Sequence, residues 1–322
     1  MGFLDVVNTC DNFPQHDLEN QDAWETAMSQ LWRFRLPGDT RTFGYLTPAT
    51  VARMPWTPEF KLDESTRTIH LIPEEDAPDT DLAAASAAAI TGLLVAAQHA
   101  AAFVKLSNWP GEKFPVLGAP FPFAVDRAIA PYFGIVSTGV QLTVFVRGAD
   151  NQSIAGVWIA RRATTKPMYP GLLDNAVGGA IQHEEMPMEA LLREAREELH
   201  IDADAAVPGG TVSWFNIKGR SAGLEPGLVE PGIQYVYDLE VDPEIELRPA
   251  EDGIEWLRLL TVEEVKAALG RHEFKPSSAY VMIDFFVRHG IINAENDREY
   301  AEIVSRLHRR LPLPTTYPWN RG

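Results

Sequence analysis

Hydrophobic and polar positions recur with two periods along this chain, and each change of period marks an element. In "QDAWETAMSQLWRFRL" Trp24, Met28, Leu31 and Trp32 fall at helical spacing, which predicts a helix. "TRTIHLIP" alternates every second residue, as a strand does. An alanine-dominated run from Leu82 to Val104 follows, interrupted by Ser86, Thr91, Gln98 and His99. Asp79 and Asp81 stand at its start, where negative charge complements a helix dipole. A soluble, mostly buried helix is expected there in preference to a membrane span.

A segment rich in proline, glycine and aromatics, "NWPGEKFPVLGAPFPFAVDRAIAPYFG", then separates two regions. Beyond it, "VQLTVFVRGADNQSIAGVWIARR" holds two β-rich runs around a polar turn, which predicts a hairpin. "GTVSWFNIKG" and "GIQYVYDLEV" alternate as strands, and "IEWLRLLTVEEVKAALG" reads as a strand running into a helix. "SSAYVMIDFFVRHG" and "DREYAEIVSRLHRRL" look like amphipathic helices, and a proline-rich tail follows. Strands interspersed with few helices predict an α+β fold. The expected units are an α/β accessory domain over 1–133, a second domain over 134–311 and a tail over 312–322.

Composition narrows the function. The 322 residues are 45% hydrophobic and 23% charged, enough to bury a sizeable core. A formal net charge of −17 argues against non-specific nucleic-acid binding, which needs clustered Lys and Arg. The same charge means an anionic substrate needs local basic residues or a divalent cation. One cysteine, Cys10, allows no internal disulfide, and the first residues lack the pattern of a signal peptide. A cytoplasmic protein without a membrane partner is expected, and its oligomeric state is left open.

The chemistry concentrates in "VGGAIQHEEMPMEALLREAREELHI". Pro187 suits a first helical turn. At about 100° per residue, Glu194, Glu197 and Glu198 share one sector, while Met188, Leu192, Ala195 and Leu199 share another. Arg193 is four residues from both Glu189 and Glu197 and is expected to pair with them. Glu194 and Glu198 remain as like charges that repel by about a few tenths of a kcal/mol. A hard divalent cation removes that conflict, since Mg²⁺ takes carboxylate and phosphate oxygens. Gly178 and Gly179 allow a bare backbone carbonyl to approach such an ion. For a Glu-rich helix considered alone, a solvated face is the rival explanation.

From Gly179, five residues lead to Glu185 and seven more to Arg193-Glu194; then come an apolar position, any residue, Glu197-Glu198 and, after two more, Ile201. This resembles the Nudix box, G-x5-E-x7-R-E-U-x-E-E-x-G-U, with His200 in place of the last glycine. "IARRATTKPMYPGLLDNAVGG" and the late "FKPSSAYVMIDFFVRHG" are similar to a fungal and plant Nudix branch with an extra N-terminal domain, described as thiamine diphosphate-related. The resemblance implies a mixed sheet sandwiched between helices. It further implies a Mg²⁺-dependent diphosphatase (Mn²⁺ being an alternative ion) acting on a small-molecule diphosphate, thiamine diphosphate or its oxy- and oxo-analogues. By that carry-over Glu194, Glu197, Glu198 and the Gly179 carbonyl hold the metal, Arg193 orients a glutamate, and Glu185 supports the site. Glu255 is the candidate for an added metal-binding carboxylate.

Arg161, Arg162 and Lys166 are candidate phosphate-binding residues, and Tyr169 a candidate for stacking on a flat ring, each weighed against surface or core roles. Trp158 is expected in the core and His183 on a solvent-facing loop. The eight histidines show no zinc-ligand spacing, and neither a P-loop nor G-x-G-x-x-G is present. The rival functions are hydrolysis of a nucleoside diphosphate linked to another group, such as ADP-ribose, and a non-catalytic ligand sensor. Diphosphate isomerisation is discounted, because Cys10 lies far outside the second domain. His200 is expected to cost up to about 1 kcal/mol at a left-handed helix end, and Glu184 occupies a position where many relatives carry glycine.

Overall fold

The structure is a computed structural model that describes residues 2–17, 19–73, 81–103, 106, 112–150, 152–219, 222 and 225–317. Asp79, Val104, Asn151 and the start of the proline-rich connecting segment lie outside the described residues.

The chain opens with two helices, α1 (Phe3–Cys10) and α2 (Gln21–Gln30). A small sheet follows, built from β1 (Trp32–Arg35), β2 (Gly44–Leu46), β3 (Phe60–Asp63) and β4 (Thr68–Leu71) in the order β2-β1-β4-β3. Only β1 and β4 run parallel. The helical spacing of Trp24 and Met28 holds, but α2 ends at Gln30 and Trp32 lies on β1. Leu31 breaks the helix with an extended backbone (ψ 146°) and is itself buried. Its neighbour Trp32 can then pair with Leu46 on β2.

Between β2 and β3 lies the short helix α3 (Pro48–Arg53), capped by the Thr47 side chain. The alanine run forms α4 (Leu82–His99), and Asp81 Oδ1 accepts from the Ala83 and Ala84 N–H groups at its start. This helix has the length and apolar composition of a membrane span, yet only 33% of it is buried, so the expectation of a mostly buried helix is corrected. Ile90, Leu93, Leu94 and Ala97 enter the first unit's core while other alanines face outward. Alanine is the strongest helix former and is tolerated on either face. The hairpin β5 (Lys113–Pro115) and β6 (Ala124–Asp126) and the turn of helix α5 (Ala130–Phe133) complete the unit.

The second unit is a mixed sheet. Its strands are β7 (Ser137–Arg147), β8 (Ile154–Arg162), β9 (Leu173–Asn175), β10 (Val177–Ala180), β11 (Val207–Ile217), β12 (Val229–Glu240) and β13 (Ile254–Leu260). The order is β11-β12-β7-β8-β13, with β10 on β7 and β9 on β8. The predicted hairpin is β7–β8, and Asp150 Oδ1 closes its turn by accepting from Gln152 N, Ser153 N and Ser153 Oγ.

One face of this sheet carries Val140, Leu142, Val144 and Leu257 against α6 (Pro187–Leu199). The other carries Phe145, Val157, Ile159 and Val236 against α7 (Val262–Gly270), α8 (Pro276–Arg288), α9 (Tyr300–Leu307) and α1. The α+β sandwich expected from the pattern is therefore present. Helix α8 departs from its amphipathic pattern, because Ser278 to Phe286 are all buried. Its second side is covered by α1, whose Val6, Val7 and Cys10 join this core despite lying in the first 133 residues, so the expectation that Cys10 lies far outside the second domain is corrected. The first unit's own core instead runs from Phe34 to Ile135 and takes in Leu228 of the second unit.

Chain ends are tied together across β11. Asp11 Oδ1 accepts from Phe215 N at 2.9 Å and from Arg309 Nη1 at 2.8 Å, with both side chains buried. Leu311 and Leu313, on either side of the tail's start, are buried with Phe13 and Phe215.

Candidate active site

Helix α6 starts at Pro187, and Met186 N donates to Glu189 Oε2 at 2.8 Å. Ala190, Leu191, Ala195 and Leu199 are its buried face; Met188 and Leu192, two of the predicted apolar positions, pack at the rim. With that face fixed, the acidic sector turns towards β10.

Arg193 organises the acids. Its Nε and Nη2 bind Glu185 at 2.8 and 3.0 Å, its Nη1 reaches Glu194 at 2.8 Å and Glu197 at 3.3 Å, and Nη2 also donates to the Ala180 carbonyl. The expected Arg193–Glu197 pair forms. In place of Glu189, which caps the helix, Arg193 takes Glu185. A planar fork suits a bidentate carboxylate contact of this kind. Burial works against an ionised Glu185, but Arg193 and the Gln182 N–H outweigh it, and its carboxyl sits below the ordinary value. Tyr317 holds the loop from the far side, its hydroxyl donating to the Glu185 carbonyl at 3.0 Å.

Glu194 and Glu198 converge on the glycine pair. Glu198 Oε2 accepts from Gly178 N at 3.0 Å. A Cβ added at Gly179 would overlap the Glu194 carboxylate, so glycine is needed there for close approach. Burial pushes the Glu198 carboxyl up to about 8; the Gly178 N–H opposes this, and the charges of Glu194, Asp174 and Glu251 add to it. Burial likewise raises Glu194 against the pull of Arg193. Glu197 is 59% exposed at its side chain.

Among the described residues no three His, Cys, Asp or Glu side chains are gathered tightly enough to close around an ion. Two carboxylates beside a glycine backbone nevertheless fit Mg²⁺, which keeps several waters and typically uses one or two carboxylates.

Both glycine departures in the box keep a glycine-like backbone. Glu184 has φ 70°, and His200 caps α6 at φ 54° and ψ 33°. His200→Gly is expected to raise the unfolding free energy by up to about 1 kcal/mol, because glycine adopts this region without a Cβ penalty. Urea denaturation of the two proteins checks this, and a loss of stability contradicts it.

The acids open into a cavity of about 800 Å³ between the two units. Phe114, Arg127 and Tyr132 of the first unit line it together with Trp214, Asn216 and Lys218. Arg162, Lys166 and Tyr169 border the cavity. Arg162 is occupied: it binds Asp174 at 2.8 Å and the Met168 and Tyr169 carbonyls, fixing a loop in which Tyr169 has φ 48°. Lys166 pairs with Glu251 at 2.9 Å. Lys218, buried and paired with Glu230, lies 5.7 Å from the Tyr169 ring centroid.

Arg161 and Glu255 are not among the residues lining this cavity and approach each other at 3.5 Å on partly exposed positions. The β13–β8 register shifts between Ile254 and Trp256, so Glu255 is the extra residue of a bulge. Glu251, just before the strand, is the acid beside the site. Trp158 is in the core as expected, whereas His183 is half-buried, its N–H donating to the Lys113 carbonyl at 2.8 Å.

Four cavity residues carried no readable signal. Arg127 sits in the segment taken as a connector. Gln141 and Gln234 lie on strands next to glycines: a Cβ at Gly178 would meet Gln141, and one at Gly139 would meet Gln234 and the Gly179 carbonyl. Asn216 sits at the end of β11. Among the described residues Gln234 Oε1 and Asn216 Oδ1 are buried acceptors without a hydrogen-bond partner.

Residues 138–283 match the NUDIX domain family. The chain is 33% identical over 219 residues to the uncharacterized Saccharomyces cerevisiae protein YJR142W, covering 65% of this chain and 64% of that protein. It is 32% identical to Nudix hydrolase 20, chloroplastic, of Arabidopsis thaliana, covering 61% of this chain and 50% of the relative. The chain thus spans about half to two thirds of the length of these relatives. It is also 30% identical to the uncharacterized Nudix hydrolase YfcD of Shigella flexneri over 44% of this chain and 68% of that protein. Arg193 anchoring the acids at a glycine pair, the domain match and these relatives lead to one conclusion: the chain belongs to the Nudix hydrolase family, whose members act on small-molecule diphosphates and generally use a divalent metal.

Proposed function

We propose that the protein is a Mg²⁺-dependent diphosphatase for thiamine diphosphate or its damaged oxy- and oxo-analogues, releasing the monophosphate and phosphate. The observation that carries this is the cavity. Glu194 and Glu198 share its lining with Trp214, Asn216 and Tyr169, within one volume of about 800 Å³. That size suits a small-molecule site lined by aromatic groups and a few polar ones. Buried acceptors at Gln234 and Asn216 favour a ring that carries N–H groups, since such atoms are rarely left unpaired.

Glu194, Glu198 and the Gly179 carbonyl would hold the ion, with Glu197 at the open edge. When bound, it neutralises diphosphate oxygens and lowers the pKa of the attacking water. Arg193 keeps Glu194 and Glu197 in place, and the Gly178 N–H fixes Glu198. Fixed charges of this kind carry most of the rate in phosphoryl transfer.

A nucleoside diphosphate linked to another group, such as ADP-ribose, is the second reading, favoured by a volume larger than thiamine diphosphate requires. Chromatographic product analysis with Mg²⁺ on oxythiamine diphosphate, thiamine diphosphate and ADP-ribose separates the two. Oxythiamine diphosphate is expected to turn over fastest. Preference for ADP-ribose removes the thiamine assignment, and no turnover of any of them leaves a ligand sensor.

A further inference from the structure

The acidic helix explains where a cation is held but leaves open what grips the anion on the opposite side. With a formal net charge of −17, the protein repels a diphosphate at long range, so a local cation facing the acids matters. Arg162 is committed to Asp174 and two carbonyls, and Arg193 to the acids themselves.

We propose that Arg127, supplied by the first unit, binds the diphosphate in the cavity it shares with Glu194. This rests on the diphosphatase reading and deepens it, making the accessory unit part of the substrate site.

Two observations carry it. Arg127 follows directly on β6, whose Asp126 pairs with Lys113 on β5, and the Lys113 carbonyl accepts from His183 N at 2.8 Å. The hairpin is thereby fastened to the loop between Gly179 and α6, and Arg127 borders the same cavity as Gln182, Glu194 and Glu197. Its guanidinium is oriented, with Cζ 5.7 Å from the Phe114 ring centroid and an ion pair to Glu112. Arginine has five N–H donors in a fixed fork, so holding Glu112 and binding phosphate oxygens are compatible.

The test is calorimetric titration of inorganic pyrophosphate, in excess Mg²⁺, into the full chain and into Arg127→Ala and Arg127→Lys. Arg127→Ala is expected to weaken binding about 10- to 100-fold, as loss of a charge-assisted contact does. Arg127→Lys recovers part of it, because the charge survives without the fork. Thermal melts are expected to be unchanged, since the arginine side chain is 32% exposed. Equal affinity of the wild type and Arg127→Ala overturns the proposal, as does a wild type that binds no pyrophosphate. Turnover of any diphosphate by the wild type keeps the hydrolase reading standing in either case, so the two fail separately.

Discussion

Glu198→Gln is expected to lower kcat by about a hundred- to ten-thousand-fold while the protein folds normally. The carboxylate lies against the glycine pair, where a cation bridged to diphosphate needs negative charge, and an amide supplies none. Folding is spared for two reasons. The glutamine carbonyl can still accept from Gly178 N, the contact made at 3.0 Å by Glu198. In addition, burial raises the Glu198 carboxyl from 4.5 to about 8. The sign follows: ionising this group costs folding free energy as pH rises from 4.5 towards 8, and a neutral amide avoids that cost. Steady-state kinetics at saturating Mg²⁺ with a thermal melt checks both halves. Wild-type turnover by Glu198→Gln refutes the role assigned to this residue.

Gly179→Ala is expected to reduce kcat/KM by about 100-fold or more, from a single methyl group that removes no ligand. The new Cβ would occupy the space of the Glu194 carboxylate. Glu194 must then swing away, and its 2.8 Å contact with Arg193 goes with it. Displacements of about 1 Å at a reacting centre have effects of this size. A rise in the Mg²⁺ concentration giving half-maximal rate should accompany the loss. Unaltered kinetics show that Glu194 need not sit over this glycine.

The box was legible because its chemistry is local. Helical periodicity alone puts Glu194, Glu197 and Glu198 on one side, and the resemblance to the Nudix box implies the glycine pair beneath them, which the structure places on strand β10. The hairpin β7–β8 was equally readable from alternation and a polar turn. What escaped depends on contacts distant in sequence or on a small irregularity. Burial of α8 all around follows from α1, which arrives from the other end of the chain, so an amphipathic pattern was the wrong guide. Glu255 is the extra residue of a bulge after Ile254, a local irregularity that alternation does not show, while Glu251, before the strand, lines the cavity. Arg127 sits in a stretch whose prolines and glycines suggest only a connector, and the β5–β6 pairing brings it to the acids. Trp32 left its helix because sheet pairing with Leu46 overrode a helical spacing that ended one turn too late.

One measurement bears most directly on the pairing of acids and cation: a crystal structure of the protein soaked in Mg²⁺ with pyrophosphate. The account predicts a magnesium ion with Glu194 and Glu198 oxygens at about 2.0–2.1 Å, bridging to the anion beside Gly179. Carboxylates turned into solvent, with no ion between them and the pyrophosphate, would contradict it.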